Sequence, residues 1–152
     1  MLLPVYLGLM AESESALAES FRAVASGHAA EADVFHLAGT LAKQCDAHSE
    51  ALAPIIERYG ASEVTEPQRL HATALAETRP GALGLLRDLH DLFLLASFVN
   101  LGWTILQQAG QALRDDELLK AVSTCARQTE QQLEWLNTRV KEAAPQTLVV
   151  AS

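Results

Sequence analysis

Apolar residues return at steps of three and four almost without a break from Leu17 to Val140. Over such a length only α-helices keep this period, since a strand alternates every second residue. The pattern divides into four stretches separated by helix-stop signals. The first is expected over about Ser13–Ser26, with Leu17, Phe21 and Val24 inward. Ser13 or Ser15 would cap it, Glu14 would sit at its positive N-terminal end, and Gly27 would stop it. The second runs over Asp33–Tyr59, with Val34, Leu37, Leu41, Cys45, His48, Leu52, Ile55 and Tyr59 on one face, Asp33 as cap and Pro54 bending the last turn. The third, Gly81–Leu113, carries Leu85, Leu89, Leu92, Ala96, Val99, Trp103 and Leu106 on one face, and Leu86, Phe93 and Leu95 add a second apolar side. The fourth, Asp116–Ala143, starts on an acidic run at Asp115–Glu117, presents Leu119, Val122, Thr129, Leu133, Leu136 and Val140, and is stopped by Pro145.

The remaining pieces read as connections. Residues 1–12 are expected to form an extended N-terminal arm over the helix ends, pinned by Leu3, Val5, Tyr6 and Leu9. Residues 60–80 form the longest connection, with Thr65 and Gln68 as a capping box for a short helix over Glu66–Ala76. Residues 145–152 are an apolar tail. At 152 residues the chain fits one domain. The expected fold class is all-α. Four long helices with one long crossover between the second and third match a ferritin-like four-helix bundle, and an up-down-up-down bundle is the alternative topology.

Charge and composition exclude several functions. The formal charge is −8, with 19 acidic and 11 basic residues, and no basic face that would hold nucleic-acid phosphates. Two cysteines give no disulfide framework and suit a reducing compartment. The start lacks the basic residues and cleavage site of a secretory signal, so the chain reads as cytoplasmic. Leu92–Leu113 carries no charge, but Asn100, Gln107, Gln108 and Gln111 interrupt it and leave about 15 densely apolar residues, short of the roughly 20 that span a membrane. A central helix, or one that also packs in a homodimer, is the better reading. The expected partners are therefore a second copy or another protein, with no nucleic acid and no membrane.

One internal echo stands out. Cys45-Asp-Ala-His-Ser-Glu50 and Cys125-Ala-Arg-Gln-Thr-Glu130 each place a Cys, then Ser or Thr four on, then Glu five on. Two related helical hairpins would leave such a trace. On AHSEALAPIIERYG in the second helix, the crossover, and ELLKAVSTCARQTEQQLEWL in the fourth, the chain resembles the ferritin-like superfamily. In size and layout it is most similar to the small bacterial stress-associated proteins of the YciE/YciF type. The resemblance implies Glu-x-x-His or related carboxylate motifs on the second and fourth helices, holding a metal pair.

Such a pair needs about four inward carboxylates and two histidines. Cys45-x-x-His48 supplies the histidine with a cysteine in place of the glutamate, and Cys125-x-x-Gln128 supplies neither ligand. The candidate metal ligands are Glu19, His48, Glu50 and Glu130, too few for a bridged di-metal centre. A reduced iron, manganese or zinc site is one alternative, with Cys45 and His48 suiting zinc. The other is a thiol-based redox protein using Cys45 and Cys125, although no Cys-x-x-Cys is present. Against both stands a structural reading. His48 is then a core histidine hydrogen-bonded to a neighbouring helix, and Cys45 packs as a small hydrophobe. No catalytic triad or phosphate-cradling loop is read from the sequence. The expectation is a ferritin-like bundle without a resident cofactor, its di-iron site largely lost, with a non-enzymatic and stress-related role through association.

Overall fold

In the computed structural model, residues 1–60, 73–75 and 77–150 are described. Among them the chain is all-helical, with no strand. The four long helices are α1 (Leu3–Gly27), α2 (Ala32–Tyr59), α3 (Gly81–Leu113) and α4 (Asp116–Pro145), followed by a π-helical turn, Gln146–Val150. The helix expected over 66–76 falls, apart from 73–75, outside the described residues.

Three of the four helices lie where the period places them, and the first corrects the reading. Residues 3–12 are not an extended arm but the first turns of α1. Pro4 sits at the start of the helix, where its missing N–H breaks no hydrogen bond. The helix therefore begins ten residues earlier, and its inward stripe runs as Leu3, Leu7, Met10, Glu14, Leu17, Phe21 and Val24, alternating steps of four and three. Ser13 is not a cap. It is buried in mid-helix and donates its hydroxyl to the Leu9 carbonyl at 2.7 Å. Asp33 falls in the first turn of α2 rather than at the cap, which is Glu31. Pro145 ends α4 from inside its last turn, and the π-helical turn follows.

The helices pack side by side in antiparallel neighbours. α1 lies against α2, α3 against α4, α1 against α3 and α2 against α4. Met10 meets Gly102, whereas His28 meets Asp88, so α1 and α3 run in opposite directions. A single core joins all four, with Leu17, Phe21, Leu52, Leu89, Leu92, Trp103, Leu106 and Leu136 fully buried.

Each end of the assembly is tied by a buried or half-buried acid. At one end Asp88, fully buried, accepts from His28 Nε2 at 2.7 Å, from the Arg79 backbone N–H at 3.0 Å and from the Arg79 guanidinium at 2.9 Å. A Cβ on Gly84 would come within 2.3 Å of the Arg79 carbonyl, so only glycine lets this strand of chain fold over the first turn of α3. At the other end Asp115 caps α4 by accepting the Leu118 N–H at 3.1 Å, pairs with Arg58 at 2.8 Å and accepts from the Tyr59 hydroxyl. Burial works against the ionised form of Asp115, but the Tyr59 hydroxyl, Arg58 and the Leu118 N–H outweigh it and hold the carboxyl at about 2.

Candidate functional site

Midway along the helices the apolar core contains a polar centre. Glu14 occupies a position in the α1 stripe that its neighbours fill with Met10 and Leu17, and it is fully buried. On α2 the face that carries Leu41, Cys45 and Leu52 also carries His48, 2% exposed. The His48 Nδ1 lies 2.9 Å from Glu14 Oε1 and its Nε2 lies 2.7 Å from Gln128 Oε1 on α4. Both ring nitrogens thus face oxygen acceptors, the pattern of an imidazolium donating twice. Around this pair, Gln132 donates to Gln44 Oε1 at 2.7 Å and lies 3.7 Å from Cys45 Sγ. Trp103 donates its indole N–H to Thr129 at 3.1 Å, and Thr129 returns its hydroxyl to the Cys125 carbonyl. The imidazole and indole rings meet edge to face at 6.0 Å.

Glu14 sets the electrostatics. Burial alone would strip His48 of its proton, yet the hydrogen bond and charge of Glu14, helped by Gln128, raise its pKa above the ordinary value. For the thiols burial and Glu14 act in the same direction. Burial first, then the Glu14 charge, pushes the Cys125 thiol up to about 12, and Cys45 is driven further up by the same causes. Both cysteines are free, buried and held as neutral thiols, so neither has the depressed pKa of a reactive nucleophile. Two buried oxygens, Glu14 Oε2 and Gln132 Oε1, carry no hydrogen bond among the described residues.

The sequence-derived ligand set is not brought together. His48 is in the centre, but Glu19, Glu50 and Glu130 are all exposed. Each lies one or two residues from an inward position (Ser20, His48, Thr129), and a helix turns about 100° per residue, which carries these carboxylates to the outer faces. Among the described residues no three His, Cys, Asp or Glu side chains form a group able to hold a metal ion. The internal echo proves more informative. His48 and Gln128, its equivalent positions three after each cysteine, are direct hydrogen-bond partners. The carboxylate that completes the centre is Glu14, which the sequence reading placed at a helix start. His28, for which the sequence reading gave no role, is the buried partner of Asp88.

The centre reaches solvent along the α2–α4 seam. A groove of ≈ 380 Å³ is lined there by Ala47, Ala51 and Ile55 from α2 and Lys120, Ala121 and Thr124 from α4, with His48, Cys125 and Gln128 among its other walls. What the arrangement does chemically is hold one buried charge pair and tie three helices to each other. Among the described residues no three potential metal ligands converge on it, and the neighbouring thiols are held neutral. The chain matches no protein-family model, no curated protein and no solved structure.

Proposed function

We propose that this chain is a ferritin-like helical scaffold in which hydrogen-bonded side chains stand in the place of a metal pair, and that it acts by association rather than by catalysis. The observation that carries the reading is the Glu14–His48–Gln128 chain at mid-core, with Cys45-x-x-His48 and Cys125-x-x-Gln128 facing each other from α2 and α4. A ferritin-like bundle places its metal motifs on inward faces of facing helices in this way. Support for the crossover comes from where the connection begins and ends. α2 finishes at Tyr59 beside Asp115, while Leu75 donates to Ser20 and Arg79 lies beside Asp88 at the opposite end. The neutral buried thiols favour this reading over thiol redox chemistry.

The test is the metal content of untagged protein produced with iron, manganese and zinc all available. The expected result is substoichiometric metal in wild type and no change in His48→Ala. Near-stoichiometric metal that His48→Ala or Glu14→Gln removes would refute the reading and restore a metal site at the polar centre.

A further inference from the structure

The outward face of α3 carries a row of exposed apolar side chains. Leu94, Phe98, Leu101 and Ile105 stand on it in a row, exposed by 59, 38, 62 and 38%. Their steps are four, three and four, which returns to the same angle of the helix and keeps one straight stripe. At roughly 200 Å² for a large side chain, the row offers roughly 400 Å² of apolar surface. A patch of this size is within the roughly 300–600 Å² of the largest apolar patch on a typical monomer, and such patches are often contact surfaces. Beside the row, between α1 and α3, runs a shallow groove of ≈ 120 Å³ lined by Tyr6, Leu9, Met10, Phe98, Leu101 and Ile105.

The order four, three, four reads the same in both directions. A second α3 laid antiparallel across the first therefore sets Leu94 of each copy opposite Ile105 of the other, and Phe98 opposite Leu101. A twofold axis demands this reciprocity, in which residue i meets j and j meets i. Leu94 of one copy then projects towards the groove bordered by Ile105 of the other, twice per pair. The row is bounded by polar residues on the same face, Arg87 and Asp91 before it and Gln108 after it. That is the apolar middle and polar rim of a protein contact. Two rows together supply roughly 800 Å² of apolar area before any rim is counted, which a rim of ordinary width brings into the range of about 1,200–2,000 Å² of a stable pair.

We infer that the partner of this face is a second copy of the chain, docked antiparallel through α3 about a twofold axis between Phe98 and Leu101. The proposal rests on the association reading above and names its partner. α3 is also long and apolar enough to cross a membrane by length and composition. On the outward face, however, the apolar row runs only from Leu94 to Ile105, about 17 Å at 1.5 Å per residue, against about 30 Å of hydrocarbon.

The experiment is sedimentation equilibrium on the full chain with surface charge variants. Leu94, Leu101 and Ile105 are exposed, so their charged variants are expected to keep the fold, which an unchanged helical spectrum and a cooperative melt verify, the melting point itself falling as the dimer's contribution is lost. Wild type is expected to be a dimer at micromolar concentration. Leu101→Glu, Leu94→Glu and Ile105→Lys should each weaken it by about a hundredfold or more. The double variant Leu94→Glu/Ile105→Lys should recover dimer, because antiparallel docking sets each new Glu against the other copy's new Lys. A parallel arrangement would set like against like and stay apart. A wild-type monomer at tens of micromolar, a dimer indifferent to these charges, or a double variant without rescue overturns the proposal. So does wild type that floats with lipid vesicles and remains monomeric without them. None of these outcomes alters the metal content, so failure here is distinct from failure of the scaffold reading.

Discussion

Glu14 is the residue whose replacement tests the most of this structure. Glu14→Leu removes the partner that His48 Nδ1 has among the described residues and leaves that buried polar nitrogen unpaired there. Breaking one side of a buried charge pair costs about 3–5 kcal/mol. Glu14→Gln keeps an oxygen for the Nδ1 proton and loses only the charge, for which about 1–3 kcal/mol is expected. The pH dependence separates charge from shape. In wild type the His48 pKa lies above its ordinary 6.5. The pair's contribution is therefore complete below pH 6.5 and is lost as pH climbs through the raised folded-state value. In Glu14→Gln the carboxylate charge no longer offsets burial, which outweighs the hydrogen bond to Gln128, and the His48 pKa is depressed. The contribution of His48 then grows as pH rises towards 6.5 and stays level above it, the reverse slope. Urea denaturation at pH 5, 6, 7, 8 and 9 reads both slopes, and the imidazole proton shifts in NMR read the His48 titration directly. If His48 titrates alike in wild type and Glu14→Gln, Glu14 does not govern its charge and the account of the polar centre is wrong.

The two ends of the fold give further tests. Asp115→Ala removes the cap of α4 and the anchor of Arg58 and Tyr59, and should cost about 1–2 kcal/mol in thermal or urea melts at neutral pH. Because the Asp115 carboxyl is held at about 2, its contribution is present above pH 3.8 and is lost as pH falls from there to about 2. Asp115→Ala should therefore lack that part of the acid transition, and an identical acid profile would count against the cap. Gly84→Ala would drive a Cβ to within 2.3 Å of the Arg79 carbonyl. An exposed helix position gains stability from this exchange, whereas here a loss of about 1–3 kcal/mol is expected by urea melts. A gain would show that the chain over Gly84 is not packed as described.

Much of the fold was legible because the apolar period survives burial on more than one side. α3 lies over Gly81–Leu113, as its period implies, and α2 differs by one residue at its start. The first helix differs most, because residues 1–12 read as an apolar arm pinned by Leu3, Val5, Tyr6 and Leu9, whereas Pro4 sits in the first turn of α1, where proline is tolerated. That single misplaced boundary hid the site. With the helix begun at Ser13, Glu14 looked like an N-terminal acid facing solvent. Carried back by four and three from Phe21 and Leu17, the stripe passes through Glu14 and on to Met10, Leu7 and Leu3. A lone carboxylate in an otherwise apolar heptad row was the signal to read. The candidate ligands Glu19, Glu50 and Glu130 lie apart from His48 for a different reason. Glu19, Glu50 and Glu130 were chosen for proximity in sequence to inward residues, and one residue along a helix is a quarter turn or more.

The buried carboxylate also acts as an index mark. Most of the side chains α1 buries are aliphatic, aromatic or small, and a heptad row of that kind packs almost as well after sliding by one turn. Glu14 breaks the degeneracy. Slid about 5.4 Å either way, α1 would set Met10 or Ala18 against the His48 imidazole and strand the carboxylate among Cys45 or Leu52. Both charges would then be buried apart, at a cost that apolar contacts regained elsewhere do not offset. By this argument one acid and one imidazole give four interchangeable-looking cylinders a single longitudinal alignment, much as one buried polar residue does in a coiled coil.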